Sequence, residues 1–514
     1  MAVIKGDDNR RVLPNWREFS TTAQLGELGL AKGNNTLLPP PSLEKYIQDF
    51  KENKEVPFAA ELISIASANN DIEHTEVEEA ATMIVLNEKK TTYSQTELAK
   101  QILGNDKMGH SHQEAHNGNS QKLCSKQQLI SEYGPKIHGL KVLLSQDSFN
   151  AIAWVDLARC YSILGHKDKA KSCMDIAVAL QPDNRFVLRS AVRLYTHYDS
   201  ADRALWLLKH SSATKYDPWL LSAELSVSML LKRQSTLAKI GLQMVESDNF
   251  NPFATTELSA SLGTLEFYNG SRKKSKKMFQ KALVAPNDNS AAQIEWVLSK
   301  DGSMLNREHF KPDIRNNFEA LSLDTYYSKE YGASIPNILN WLKDMPYSKR
   351  PIMLGTSASE LVGDRDLTMS LLEFGLLTNP QDPALLNNKA YYLALNDRAE
   401  EADVVLSRLF LNRDLADRES ICAIATKGLV EFRSGNVDEG AGLYSLAIKK
   451  AIDLNELEMA KSAALNYLRE LMRNDDGNEE QVLNIISKLP ANNTDPLVSK
   501  LEDEVISEYK KKNS

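Results

Sequence analysis

Along most of this chain apolar residues recur at intervals of three and four, the spacing that lines them up on one stripe of an α-helix. Between Ala151 and Asn184 the pattern closes into a complete unit. With Ala151 as position 1, Trp154, Leu157, Ala158 and Tyr161 take positions 4, 7, 8 and 11, and Gly165 ends the first helix at position 15. Ala170, Met174 and Ala177 follow at positions 20, 24 and 27, and Pro182 closes the unit at 32. The spacing predicts a helical hairpin, with the small residues Ala158 and Ala170 where its two helices approach. Strand-like alternation is nearly absent, so nothing predicts a sheet.

The count can be carried along the chain. From Arg185, Leu188, Ala191, Val192 and Tyr195 return to positions 4, 7, 8 and 11, with Ala204 and Leu208 at 20 and 24. The stretch from Trp219 to Asn249 predicts two apolar helices without a clear register. From Thr256, Leu262 and Gly263 fill positions 7 and 8, Gly270 position 15, Phe279 position 24 and Ala282 position 27. From Ala291 to about Leu342 the chain is aromatic-rich and irregular, which predicts helices with longer connections. The register returns from Lys349 (Gly363 at 15, Leu372 at 24), from Pro383 (Leu386, Lys389, Ala390 and Leu393 at 4, 7, 8 and 11) and from Ile421 (Gly428 at 8, Gly435 at 15, Tyr444 at 24). A last hairpin is predicted over Asn455–Arg473 and Glu479–Leu489. Before the array, Gly134-Pro135 predicts a break in the helix that starts near Gln127.

These units resemble the tetratricopeptide repeat, a helical hairpin of about 34 residues that buries its apolar stripe only by stacking on its neighbours. The resemblance is specific in five units, looser in three or four more, and covers residues 126–489. It implies an all-α fold, a right-handed α-solenoid of tetratricopeptide-like hairpins, and a protein–protein interaction scaffold whose first helices line the binding face. The inward positions are then 2, 5, 9 and 12. They put Val155 and Arg159 of one unit, and Asn387 and Tyr391 of another, on a partner-binding surface. Some members of the family hold a C-terminal carboxylate with Lys at 5 and Asn at 9. Here those positions are Val155 and Arg159, so a clamp of that kind is not expected.

Outside the array, residues 1–42 predict an extended N-terminal arm, since Pro39, Pro40 and Pro41 forbid a helix there. Trp16, Phe19, Leu25, Leu28 and Leu30 are too apolar for a solvated tail. The arm is expected to dock through Trp16 and Phe19 on this chain's own repeats, on a second copy in a homo-oligomer, or on a partner. Residues 43–105 predict a small helical module, 106–125 a glycine-rich linker, 126–490 the solenoid, and 491–514 an amphipathic C-terminal capping helix. The linker histidines His110, His112 and His116 have no rigid surroundings to hold a metal.

At 514 residues, with 42% hydrophobic and 25% charged residues and a formal net charge of -8, the composition is that of a soluble globular protein rather than a non-specific nucleic-acid binder. Four unpaired-looking cysteines and the lack of an apolar leader segment predict a reduced, cytoplasmic protein, and no apolar run is long enough to span a membrane. There is no phosphate-binding glycine loop, nucleophile elbow or metal-ligand motif. The expectation is therefore a protein that is not an enzyme and has no cofactor or metal. It would be a non-catalytic adaptor binding a protein partner, such as an enzyme subunit, in a hetero-complex. The large divergent array is also similar to subunits of bacterial multi-protein systems, including defence systems. One feature favours an alternative, a nucleic-acid-associated subunit: Arg272, Lys273, Lys274, Lys276, Lys277 and Lys281 form a dense basic face on one second helix.

Overall fold

The computed structural model describes residues 10–19, 43–69, 74–87, 91, 95–96, 98–100, 102–103, 123, 125–247, 249–305, 314, 316–410, 415–474 and 478–512. Among them every regular element is a helix, and none is long and apolar enough to cross a membrane. The linker histidines, Leu25 to Leu30 and the triple proline lie outside the described residues. Two compact units are formed: residues 9–120 with 132–324, and residues 325–514 with 1–8 and 121–131.

In the first unit a helical module containing α1 (Leu43–Glu52), α2 (Val56–Asn69) and α3 (Thr75–Leu86) closes its own core around Phe50, Leu62, Ile63, Val77 and Ile84, with Ala99 and Ile102 in the same core. Helix α4 (Lys126–Gln146) precedes four hairpins. These are α5 (Ala151–Ile163) with α6 (Lys167–Leu180), α7 (Arg185–His197) with α8 (Ala201–His210), α9 (Pro218–Leu230) with α10 (Ala238–Glu246), and α11 (Thr256–Tyr268) with α12 (Arg272–Ala282). Then come α13 (Asp288–Lys300) and α14 (Phe318–Tyr327). The first helices α5, α7, α9, α11 and α13 pack side by side in order and make one continuous face. Helix α4 does not break at Gly134-Pro135, contrary to expectation. Pro135 sits on the exposed side, where the Ser131 carbonyl it leaves unbonded faces water.

In the second unit α15 (Tyr331–Asp344) precedes α16 (Lys349–Val362), which pairs with α17 (Arg365–Thr378). Next are α18 (Pro383–Leu395) with α19 (Ala399–Phe410), α20 (Asp417–Arg433) with α21 (Val437–Asp453), and α22 (Leu457–Asn474) with α23 (Glu479–Ser487). The C-terminal helix α24 (Pro496–Lys512) lies on α22 and reaches back to α16, so it runs along the first-helix face rather than covering only the end of the stack.

Three positions explain why this sequence makes hairpins. The residue before each of four first helices caps it: the side chains of Asn150, Asn184, Asp217 and Asp382 accept from the main-chain N–H groups of Ala153, Val187, Leu220 and Leu385 at 3.0–3.2 Å. Positions 8 and 20 are small because the two helices touch there. In the unit from Ile421 an added Cβ on Gly440 would lie 3.0 Å from the carbonyl oxygen of Gly428. Position 15 is left-handed in every counted unit. Gly165, Gly270, Gly363 and Gly435 have φ between +73° and +87°, and Asp199 and Asp397 take the same conformation where glycine is missing. Lys232 does so as well, at φ +54°. It identifies residues 218–247 as a further repeat, starting at Pro218. The sequence count lost this unit because its second helix is short and follows a longer connection. The fold is tetratricopeptide-like in both units.

Candidate functional site

The first-helix face of the first unit is already occupied. Residues 10–19 lie along it as an extended strand of chain, in the direction opposite to the repeats: Phe19 meets α5 and α7, and Arg10 meets α13 and α14. The expected docking of the arm is thus made in cis. Of its apolar anchors, Trp16 is 1% exposed, Val12 is fully buried, and the Phe19 ring meets Phe186 edge-on at 5.1 Å.

The contacts at the Arg10 end are polar and buried. Arg10 donates from Nε to Glu319 at 2.7 Å, from Nη1 to Gln293 at 2.6 Å and from Nη2 to Asn289 at 3.0 Å. The same two amide side chains, one helical turn apart on α13, also hold the arm's backbone. Gln293 Nε2 donates to the Arg10 carbonyl at 3.2 Å and Asn289 Nδ2 to the Leu13 carbonyl at 2.9 Å. Asp288 accepts from Asn15 at 2.8 Å and from Arg17 at 2.6 Å. Arg11 lies over the Tyr268 ring, 4.3 Å from its centre. Both ends of each amide are used, so an extended backbone with an arginine at this place meets every hydrogen bond the socket offers.

At the other end, Glu18 joins Lys136 at 2.9 Å and Arg159 at 3.1 Å, and Asp156 accepts the Phe19 N–H at 3.2 Å. Burial pushes the Glu18 carboxyl up, but the charges of Arg159 and Lys136 and their hydrogen bonds outweigh it and hold the group below its usual range. Asp156 has the opposite balance. Burial, and then the negative charge of Glu18, push it up to about 7, against the smaller pull of the Phe19 N–H and Arg159.

Of the residues expected to bind a partner, Arg159 does face the groove: its Nε points to the Trp16 carbonyl and its Nη1 to Glu18. Val155 is fully buried beneath it. Trp16 and Phe19 are on the arm itself. Asn387 and Tyr391 belong to the second unit. There Asn387 accepts from Thr426 at 2.9 Å and Tyr391 donates to Asn466 at 2.9 Å, both buried. Sequence reasoning missed Asp156, Phe186, Asn289, Gln293 and Glu319. Counting α13 from Asp288 would have placed Asn289 and Gln293 at positions 2 and 6. Those are the positions of Phe186 and Asp156 in their own units, so the inward stripe runs through 2, 6 and 9.

The basic face on α12 is exposed, but only part of it is open. Arg272 pairs with Asp301, Lys277 with Glu246, and Lys281 donates to the Val245 carbonyl. Lys273, Lys274 and Lys276 project into solvent. Among the described residues no group of acidic, histidine or cysteine side chains could hold a metal ion.

No protein-family model matches the chain, and no curated protein matches it in sequence. Among solved structures it is similar to the APC/C hetero-tetramer Cut9–Hcn1 (13% identity, 95% of this chain and 99% of that one, TM-score 0.37). It is also similar to the human IFIT1 dimer with m7Gppp-AAAA (11% identity, 80% and 94%, TM-score 0.34) and to yeast Tom70 (14% identity, 76% and 94%, TM-score 0.33). Superposition at this level carries no functional information.

Proposed function

We propose that this chain is a non-catalytic scaffold that binds a protein partner as an extended segment on the first-helix face of its first unit. One observation carries the reading: Asn289 and Gln293 capture two main-chain carbonyls of an extended segment while their other ends hold its arginine. Hooks on the backbone give affinity to any extended chain, and the socket for Arg10 and the apolar sites for Trp16 and Phe19 select among them. The partner segment would then carry an arginine and, about six and nine residues on, two aromatic side chains. A subunit held by such a tail, an enzyme among the possibilities, would be positioned by it. A second copy supplying the same arm would give a homo-oligomer through one and the same groove.

A fluorescent peptide of residues 9–20 tests this on a chain that starts at Leu43. Saturable binding, lost when the peptide's Arg10 and Trp16 become alanine, is expected. No binding, or equal binding of the altered peptide, rejects the groove as a segment-binding site. The nucleic-acid alternative rests on Lys273, Lys274 and Lys276. Reversing them to glutamate should abolish any salt-sensitive binding to duplex or single strands, and no binding at low salt removes that reading.

A further inference from the structure

The second unit holds a cavity of about 450 Å³. Helices α18, α20 and α22, the end of α16, and the C-terminal helix α24 wall it in. The volume is within the range of small-molecule sites. Most charges around it are matched inside the protein. Glu470 takes Arg433 Nε and Nη2 at 2.6 and 3.0 Å, and Arg433 Nη1 and Arg473 go to Asp397 at 2.7 and 2.9 Å. Glu458 accepts from the Thr494 and Asp495 main-chain N–H groups, each near 2.7 Å.

Two buried polar atoms of cavity-lining residues lack a hydrogen-bond partner, while Arg365, Lys500 and Glu504 line the cavity as well. Arg469 spends Nε on Glu470 at 3.0 Å and also hydrogen-bonds Tyr391, but its Nη2 is buried without a hydrogen-bond partner. Glu360 Oε2 is buried without one too. Burial is the largest influence on Glu360 and pushes its carboxyl up, against the positive charges of Lys500 and Arg365 and, more weakly, of Arg469. An unmet buried donor or acceptor is costly, more so when charged. One cationic donor and one carboxylate oxygen in the same small cavity therefore call for a ligand with one charge of each sign. Leu395, Met459, Leu497, Val498 and Leu501 supply the apolar wall.

We propose that this cavity binds a free α-amino acid with an apolar side chain. Its carboxylate meets Arg469 Nη2, its ammonium meets Glu360 Oε2, and its side chain lies against the apolar wall. A peptide end would offer only one of the two charges, and an inorganic anion would bring no donor to Glu360 Oε2. Helix α24 closes the site. It is tied down by Lys500 Nζ donating to the Glu360 carbonyl at 2.6 Å and Lys512 Nζ donating to the Met472 carbonyl at 2.8 Å.

Calorimetric titration of the full chain with leucine, methionine and phenylalanine, and with N-acetyl-leucine and leucinamide, tests the proposal. At least one free amino acid should bind, and each derivative, missing one charge, should bind about 10- to 100-fold more weakly. Arg469→Gln should weaken the free amino acid by a similar factor. Glu360→Gln, which keeps the shape of the side chain and breaks no hydrogen bond of Oε2, should weaken the free amino acid and narrow its advantage over N-acetyl-leucine. Melting curves confirm that both variants are folded. No binding of any free amino acid at millimolar concentration, equal binding of the derivatives, or unchanged binding by folded Glu360→Gln would overturn it.

Discussion

Replacing Arg10 by methionine removes the charge and its three donors while keeping most of the aliphatic stem. In the structure the pair with Glu319 is dry, with side-chain exposures of 1% and 5%, so the substitution removes the cation facing a buried carboxylate and the donors to Asn289 and Gln293. Breaking one partner out of a buried pair costs about 3–5 kcal/mol, which shifts the docked-to-free equilibrium of the arm by about 100- to 4,000-fold. The neighbouring Arg11 is the comparison. It is half-buried; it lies over the face of Tyr268, worth about 0.5–1 kcal/mol, or two- to fivefold, and its Nη1 donates to the exposed Tyr268 hydroxyl and to the adjacent Arg10 carbonyl, bonds that water can replace. Hydrogen exchange read on the peptide covering residues 10–19 measures the opening equilibrium directly. Arg10→Met should cut its protection by at least a hundredfold, or to the unprotected limit, while peptides from α20 and α22 are unchanged. Arg11→Met should cost less than tenfold. If the two variants lose protection equally, or Arg10→Met loses none, the buried socket is not what holds the arm.

Trp16→Ala, at a side chain 1% exposed, should release the arm at a cost of about 3–5 kcal/mol and make residues 10–19 a preferred site of proteolytic cleavage. Because Asp156 is raised to about 7, the folded form holds its proton more tightly than the unfolded one. Stability from this group is complete below its ordinary range near 4 and is lost as pH rises toward 7. Asp156→Asn, which keeps the acceptor for the Phe19 N–H, should flatten the pH dependence of melting between about 4 and 7 and raise the midpoint at pH 8; an unchanged slope would show that another group sets it. Gly440→Ala places a Cβ 2.6 Å from Phe432 Cδ2 and 3.0 Å from the Gly428 carbonyl, so it should destabilise the second unit by about 1–3 kcal/mol. Gly442→Ala, two residues on in α21 with nothing within 4 Å, should instead stabilise it by up to about 1 kcal/mol, and thermal melts that give both the same sign would refute the packing argument.

The hairpins could be read from the sequence because their rules are local. Gly165 and Gly435 mark left-handed turns, and Ala158, Ala170 and Gly428 mark close helix contacts, all within one 34-residue window. The repeat at Pro218 was hidden because its second helix, Ala238–Glu246, is short and follows a longer connection, which throws the count off. The arm's apolar residues could also be read, since Trp16 and Phe19 do not suit a solvated tail. Their destination could not. Arg10 and Glu319 are joined only by the path of the chain through a helical module, four hairpins and the helices that flank them, and no local pattern pairs residues across that separation. Likewise, nothing near Arg469 in sequence shows that its partner across the cavity is Glu360, or that α24 folds back over both.

The contact between Arg10 and Glu319 spans 309 positions of sequence. At about 5–20 residues per second, a ribosome needs on the order of 15–60 s to make that length of chain. The arm is the first part of the first unit to emerge, and the socket that receives it is the last. Phe19 can find α5 and α7 once residue 197 is made, but throughout that interval Arg10 has no socket to enter, so the arm is held at one end only and its other end is open to chaperones and to any already folded copy. The order of synthesis thus gives another molecule the first opportunity to hold that end of the arm, and closure in cis is the final step in building this unit.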